Sequence, residues 1–418
     1  MADKSSTIKL GDDPGRLLTA GDRVFVQGCS GESNLWLRWL LHHSSQLRDV
    51  GFAGVLIPGV NTFDYSELGL GCTLDVIFMQ PAFRRGYELG RIEYRPLTYS
   101  STVEYYERGP QFDVCLLQAS MPDEKGNCSL GVSADFSPSA LKNTRSVALH
   151  LNPQMPKTHG PSINLADTDF TIEADVPLLQ LPSDAPSGTL TRVAANVSSL
   201  IESGDTVQFG LGKLQRALCE SLADHRGLKV HSGMISDPVA ALLAGGAIDE
   251  VVTGTAIGTD SLYSVCSDPR ITFAPVSRTH SARTLTGLRN LKCVNSVMQI
   301  DLLGQANSEW LRGRQLSGCG GLMDFGKGCR QHPENAFILA TPATAKNGES
   351  STIVPRLPDG NSVSVTRQDV DYVVTEHGVA DLRHRSVAER ADALITVAAP
   401  QFRDMLTKSW RDDIAPRI

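Results

Sequence analysis

No Cys-x-x-Cys pair occurs among the nine cysteines of this 418-residue chain, and their number is odd. Neither a disulfide framework nor a zinc ribbon is indicated. The expectation is reduced, mostly buried thiols in a cytoplasmic protein. Basic charge is short as well: 39 Lys and Arg stand against 46 Asp and Glu, a formal net charge of -7. A nucleic-acid protein would show a basic footprint instead. Long hydrophobic runs are missing too. The opening MADKSSTIKLGDDPGRLL has no apolar signal core, and the first apolar run, Val24 to Val26, is strand-sized. Nothing approaches the length of a membrane span. The histidines are scattered, and the one close pair, His42-His43, cannot point one way on a helix. No metal site is expected.

What remains is a composition 41% hydrophobic and 20% charged, on a chain long enough for two or three cores. Short runs rich in Val and Ile (DRVFVQG, AGVLIPG, DVCLLQAS, DTVQFG, DYVVTEHG) alternate with amphipathic stretches such as SNLWLRWLLHH and LQRALCESLADH. That alternation predicts an α/β architecture with largely parallel, buried strands. Two segments look alike: AGDRVFVQGCSGESNLWLRWL (20–40) and SGDTVQFGLGKLQRALCESL (203–222). Each runs G-D-x-V strand, glycine turn, helix, as a duplicated half would. LPSDAPSGTL (181–190) clusters Pro, Ser, Gly and Asp between periodic segments, which predicts domains over 1–185 and 186–418. A ligand site is expected in the cleft between two similar halves, at strand C-termini. Ser386 and Glu389 have capping-box spacing, so a helix should begin there, and Pro400 should end it or open the next one.

Several stretches carry chemistry. QFGLGKLQRAL (208–218) puts a glycine turn between strand and helix, where backbone N–H groups can hold phosphate or an oxyanion on a thioester. It lacks the Gly-Lys-Ser/Thr of a P-loop and the full G-x-G-x-x-G spacing, and a plain tight turn reads equally well. LSGCGGLMDFGKG (316–328) and ATPATAKNGESSTIVPRL (340–357) are rich in small residues, which suits a long flat ligand against backbone or simple loop flexibility. VVTEHGVADL sets Glu376 and His377 at a strand end, for chemistry or as a cap. LKVHSGMISD ends an apolar run at His231-Ser232-Gly233, a place where catalytic groups often stand, and its tip is glycine. The residues alone predict a cleft enzyme that binds a phosphorylated or thioester ligand.

The ordered blocks PDEKGNCSLGVSADF, NPQMPKTHG, GDTVQFGLGKL, DLLGQANSE, SGCGGLMDF, VTEHGVADL and ERADALITVAAPQFRDML resemble the acetyl-CoA hydrolase/transferase family, the group of 4-hydroxybutyrate CoA-transferases and related enzymes. The resemblance runs from about Gly21 to Leu406 and implies the CoA-transferase fold, two similar open α/β domains with the site in their cleft. It also implies transfer of CoA from an acyl-CoA to a free carboxylate. In such enzymes a glutamate attacks the thioester and passes through an anhydride to a glutamyl-CoA thioester, with backbone amides around the oxyanion. That glutamate sits in a segment of the form His-Thr-Glu-Met-x-Ser-Asp. Here the segment is His231-Ser232-Gly233-Met234-Ile235-Ser236-Asp237. Gly233 stands where the family keeps its nucleophile. Leu322, where Gln is common, and the GKGC run (326–329) are smaller departures.

Three readings follow. Another carboxylate serves, with Glu32 in CSGES first and Glu376 and Glu309 behind it. Or transfer is direct, or goes to water, with glycine leaving room for the acceptor. Or the chain binds CoA without turnover. A CoA-transferase is favoured, with acyl-CoA hydrolase or a non-catalytic CoA-binding homologue as alternatives. The resemblance carries CoA contacts onto Gly210, Leu211, Gly212, Lys213 and Leu214, and onto Gly320 and Gly321. Lys213 adds a charge where a small residue is common and would suit a CoA phosphate. The expected ligands are coenzyme A, as substrate, and a small carboxylate such as 4-hydroxybutyrate, acetate, succinate or itaconate. The Ser-Gly-Met variant looks like that of relatives linked to itaconate. No metal, nucleic acid or membrane is expected, and a homodimer is left open.

Overall fold

The computed structural model describes residues 6–7, 14–182 and 184–418. Much of the N-terminal stretch inspected for a signal core, and Ser183 of the linker, lie outside the described residues. The described residues form two eight-stranded sheets and a few short ribbons. Two compact units result. One comprises Met1–Pro182, Gly233–Asp237 and Val252–Ser281, and the other Ser183–Ser232, Pro238–Val251 and Ala282–Ile418. The strand Leu228–Ile235 thus starts in the second unit and passes into the first at Gly233.

In the first unit the sheet runs Ser6–Thr7, Phe170–Glu173, Thr144–Leu151, Phe112–Ala119, Arg23–Val26, Gly51–Ala53, Thr73–Val76, Ile92–Tyr94, every neighbour parallel. Phe112–Ala119 is buried at all but one position, as a strand covered on both faces must be. The helix Asn34–His42 covers one face with Leu35, Trp36, Trp39 and Leu40, a three-and-four spacing that puts them on one stripe. Ser33 caps it by accepting from Trp36 N at 3.2 Å, and Trp36 Nε1 donates to Leu117 O at 2.8 Å. Each such side chain, fully buried, stabilises the fold by roughly 1.5–3 kcal/mol.

The second unit repeats the plan. Thr206–Phe209 pairs in parallel with Leu228–Ile235 on one side and Leu291–Ser296 on the other; Ala336–Ala340 and Tyr372–Thr375 follow in parallel, and Gly378–Asp381 closes antiparallel. The duplication is visible in bond detail. Asp22 and Asp205 each accept from the backbone three residues earlier, Thr19 N at 2.7 Å and Glu202 N at 2.8 Å. Each follows a left-handed glycine, Gly21 or Gly204. The G-D-x-V signature is therefore a turn that delivers the chain into a central strand. The capping box is present, with Ser386 N donating to Glu389 Oε2 at 2.7 Å, and Pro400 opens the next helix, Pro400–Ser409.

Eight of the nine cysteines are buried and Cys319 is half-buried, all as free thiols. Among the described residues no helix is long and apolar enough to cross a membrane.

Candidate active site

The two duplicated glycine turns differ in what surrounds them. In the first unit the turn after Arg23–Val26 is packed shut. A Cβ at Gly28 would lie 2.0 Å from Val55 O, and one at Gly31 would lie 2.6 Å from the Gln27 side chain and 2.8 Å from Ser133 Cβ. Asn61 clamps the turn. Its Oδ1 accepts from Cys29 N and Ile57 N, and its Nδ2 donates to Cys29 O and to Glu32 Oε2 at 2.9 Å. The Tyr65 hydroxyl donates to Glu32 Oε1 at 2.8 Å. Glu32 is buried, and burial pushes its carboxyl up while the bonds from Asn61 and Tyr65 pull it back. Both oxygens of this carboxylate are held.

The turn of the second unit is open. Nothing among the described residues lies within 4 Å of a Cβ built at Gly210 or Gly212, and Gly212 sits at φ +111°, where other residues are strained. Gly212 is the N-cap of the helix Lys213–Ser221 and supplies no side-chain cap. The first N–H groups of that helix, which have no intrahelical acceptor, therefore also receive none from an N-cap side chain, as at an anion-binding helix start. Gln215, one turn in, is 5% exposed, and among the described residues neither amide atom of its side chain has a hydrogen-bond partner. Helical side chains generally lean toward the helix N-terminus, which here is the side of the glycine turn. Sequence reasoning missed Gln215, because only its burial gives it weight. Lys213 Nζ pairs with Asp184 Oδ2 at 2.9 Å, both side chains being largely exposed. Such a pair is weak and easily exchanged. Leu214 is half-buried.

The second unit also holds Gly320, at φ +51°, and Gly321, the N-cap of the helix Leu322–Cys329. Glu376 accepts from Ala343 N at 2.7 Å, which makes it a backbone cap. Glu309 accepts from Ser364 Oγ at 2.7 Å and Gln315 Nε2 at 3.0 Å, so both its oxygens are engaged.

Gly233 belongs to the first unit. A Cβ there would lie 2.8 Å from Cε1 and 3.1 Å from Nε2 of His280, with Tyr99 Cε2 at 3.9 Å. A side chain at this position would have to displace the imidazole edge of His280. That ring is 2% exposed and lies 4.9 Å from the Tyr99 ring, with Nδ1 hydrogen-bonded to Thr279 Oγ1 at 2.9 Å. Behind the glycine stands Asp135. A Cβ on Gly254 would be 2.9 Å from Gly233 O and 3.6 Å from Asp135 Cβ. Burial pushes Asp135 up to about 6, against hydrogen bonds from the Phe136 backbone and Ser133. His280 and Asp135 were not singled out in the sequence. His280 lies in no motif, and its approach to Gly233 is tertiary.

Comparisons with known proteins agree over most of the chain. Residues 16–179 match the acetyl-CoA hydrolase/transferase N-terminal domain and 258–410 its C-terminal domain. The chain is 35% identical over 353 residues to the 4-hydroxybutyrate coenzyme A transferase of Clostridium kluyveri, covering 82% of this chain and 80% of that one. It is 34% identical over 310 residues to the succinyl-CoA:cyclohexane-1-carboxylate CoA transferase of Geobacter metallireducens, covering 72% and 71%. Among solved structures, RipA from Yersinia pestis superposes with a TM-score of 0.88 at 26% identity, over 94% of each chain.

Proposed function

The chain belongs to the acetyl-CoA hydrolase/transferase family, and we propose that it moves CoA between small acyl-CoAs and a free carboxylic or dicarboxylic acid without an acyl-enzyme at position 233. Its two α/β units have the architecture of that family, and its chemistry is acyl-CoA:carboxylate CoA transfer, with coenzyme A as substrate. The observation that carries the route is Gly233, which has no side chain to acylate and has a histidine ring in the space a side chain would need. Glu32, Glu309 and Glu376 are each already engaged by hydrogen-bond donors, which favours positioning roles for them.

In the direct route an oxygen of the acceptor carboxylate attacks the thioester carbonyl, forming a mixed anhydride and expelling CoA thiolate. The thiolate then attacks the acceptor carbonyl of the anhydride. A new acyl-CoA forms and the donor leaves as its carboxylate. No protein atom is consumed, but both substrates must be bound together, so the enzyme contributes proximity and charge stabilisation. The open turn Gly210–Leu214 with its uncapped helix start, the Gln215 amide, unpartnered among the described residues, and Gly320 and Gly321 support a CoA cradle on the second unit. The relatives named above handle 4-hydroxybutyrate, and succinyl-CoA with cyclohexane-1-carboxylate. The first acids to try are therefore 4-hydroxybutyrate, acetate, succinate and itaconate.

A panel of acyl-CoAs, with and without these acids, followed by mass spectrometry tests the reading. New acyl-CoA that appears only with an added acid is the expected result. Free CoA released without acid would make the chain a hydrolase, and no turnover at all would leave a CoA-binding relative.

A further inference from the structure

We propose that a cleft in the second unit, away from its glycine turn, binds a phosphate group, free or carried by a small organic ester, with Arg390 as its buried anchor and Arg330 at its mouth. The cleft has a volume of about 510 Å³ and is lined by both arginines together with Arg383, His332, His384 and Asp371. That size suits a small-molecule site. Its position separates it from the proposed CoA cradle. Asn335 and Asp371, both in the lining, directly precede the parallel strands Ala336–Ala340 and Tyr372–Thr375, and Leu382 directly follows the antiparallel Gly378–Asp381. The cleft therefore lies at the N-terminal ends of these strands, whereas the turn Gly210–Leu214 follows the C-terminal end of Thr206–Phe209 in the same parallel set.

Arg390 is a cation without a counter-ion. Its guanidinium is half-buried and donates from Nη2 to Arg367 O at 2.6 Å; among the described residues Nε has no partner and no carboxylate pairs with the group. Gly304 backs it, since a Cβ there would lie 2.7 Å from Nη2. Burial holds Arg390 below the usual guanidinium range and the nearby Arg367 adds to that, with Asp371 opposing. The surrounding carboxylates are committed elsewhere. Asp371 Oδ2 accepts from Phe337 N at 2.9 Å, and Asp381 takes two hydrogen bonds from Arg383, at 2.8 and 3.0 Å. Asp369 accepts from Thr366 Oγ1 at 2.6 Å and lies 3.9 Å from Arg330 Nε. A guanidinium withdrawn from water without a carboxylate is stabilised by an anion that reaches it. Phosphate suits the place, because its oxygens can be shared between two planar guanidinium forks. Arg330, Arg383 and His384 are exposed, so the mouth is open to solvent. The whole chain carries a net charge of -7, and the cluster of arginines is thus a local feature.

Calorimetry on the full chain with ribose 5-phosphate, ribose and inorganic phosphate tests the site, and it needs no turnover. The expected result is saturable binding of ribose 5-phosphate and of phosphate, and none of ribose. A tighter ester assigns the rest of the cleft to the organic part, and equal affinity assigns the site to the free ion. Arg390→Gln should weaken ribose 5-phosphate about 10- to 100-fold, the range for one lost bond to a charged group. Arg330→Gln should weaken it several-fold. CoA affinity should stay within about twofold of wild type in both variants. The proposal is overturned if neither phosphate compound binds at millimolar concentration, if ribose binds as tightly as its phosphate, or if both variants bind ribose 5-phosphate like wild type. CoA affinity that falls in parallel would make the cleft part of the CoA site, and that too overturns it. Should Arg390→Gln fail to fold through loss of its bond to Arg367 O, the exposed Arg330→Gln decides by the same readouts.

Discussion

The Tyr65 hydroxyl donates to Oε1 of Glu32 at 2.8 Å, while Asn61 holds Oε2 at 2.9 Å. Hydrogen bonds to both oxygens make a carboxylate a weaker nucleophile, and Glu32 is buried as well. Glu32→Gln is therefore expected to keep turnover within about tenfold of wild type. It should also lower stability by roughly 1–3 kcal/mol, because an amide NH₂ is set against a donor. Rate assays and thermal melts read both effects. A loss of several orders of magnitude with an unchanged melting temperature would make Glu32 the reacting group.

Gly233→Glu tests the contact with His280. The added side chain would press on the imidazole at 2.8 Å, and overpacking of this kind costs about 1–3 kcal/mol. Combining it with His280→Gly removes the ring and should restore most of that stability. Only the double variant is expected to accumulate a trappable enzyme–CoA thioester, seen as a mass increase of the intact protein. A single variant that melts like wild type would show that the ring does not occupy the space.

Gln215 gives an unusual pair of expectations. Its buried amide has no partner among the described residues, so Gln215→Leu should stabilise the apoprotein by up to about 2 kcal/mol. If the amide binds CoA, affinity should nevertheless fall roughly tenfold, since the binding energy of about one hydrogen bond is lost. Reduced stability with unchanged CoA affinity would place Gln215 in the structural framework alone.

Asp135 sets a pH dependence. Its carboxyl moves from an ordinary 3.8 to about 6 in the folded chain, chiefly because it is buried. The protonated form is thus favoured by folding. The associated stability is full below about pH 4 and is lost as pH rises through about 6. At neutral pH the charged form costs on the order of 3 kcal/mol, about two units at roughly 1.4 kcal/mol each. Asp135→Asn should be more stable than wild type at pH 7.5, with the advantage fading toward pH 4 in urea titrations. A variant less stable than wild type at pH 7.5 would mean that a cation or strong donor compensates the charge.

Much of the architecture is legible in the sequence because it depends on local chemistry. DVCLLQAS reads as a central strand because both its faces are covered. The two halves reveal themselves through G-D-x-V because Asp22 and Asp205 build the same turn. The glycine turns do not sort themselves that way. GCSGES and GLGKL look alike on paper, yet Val55, Asn61 and Ser133, distant in sequence, close the first, whereas no described residue lies within 4 Å of a Cβ built at Gly210 or Gly212 in the second. The missing glutamate at 233 is plain from the motif around it. The ring that a side chain there would displace is not, since His280 reaches Gly233 only through the folding of the Val276–Thr279 helix.

The most direct test of transfer without an acyl-enzyme is initial-rate kinetics with acyl-CoA and acceptor acid varied together. A route in which both substrates are bound at once gives lines that intersect in the double-reciprocal plot. The intact protein should then show no added CoA mass during turnover. Parallel lines, accompanied by a CoA adduct on any carboxylate of the chain, would contradict the account and restore a covalent intermediate.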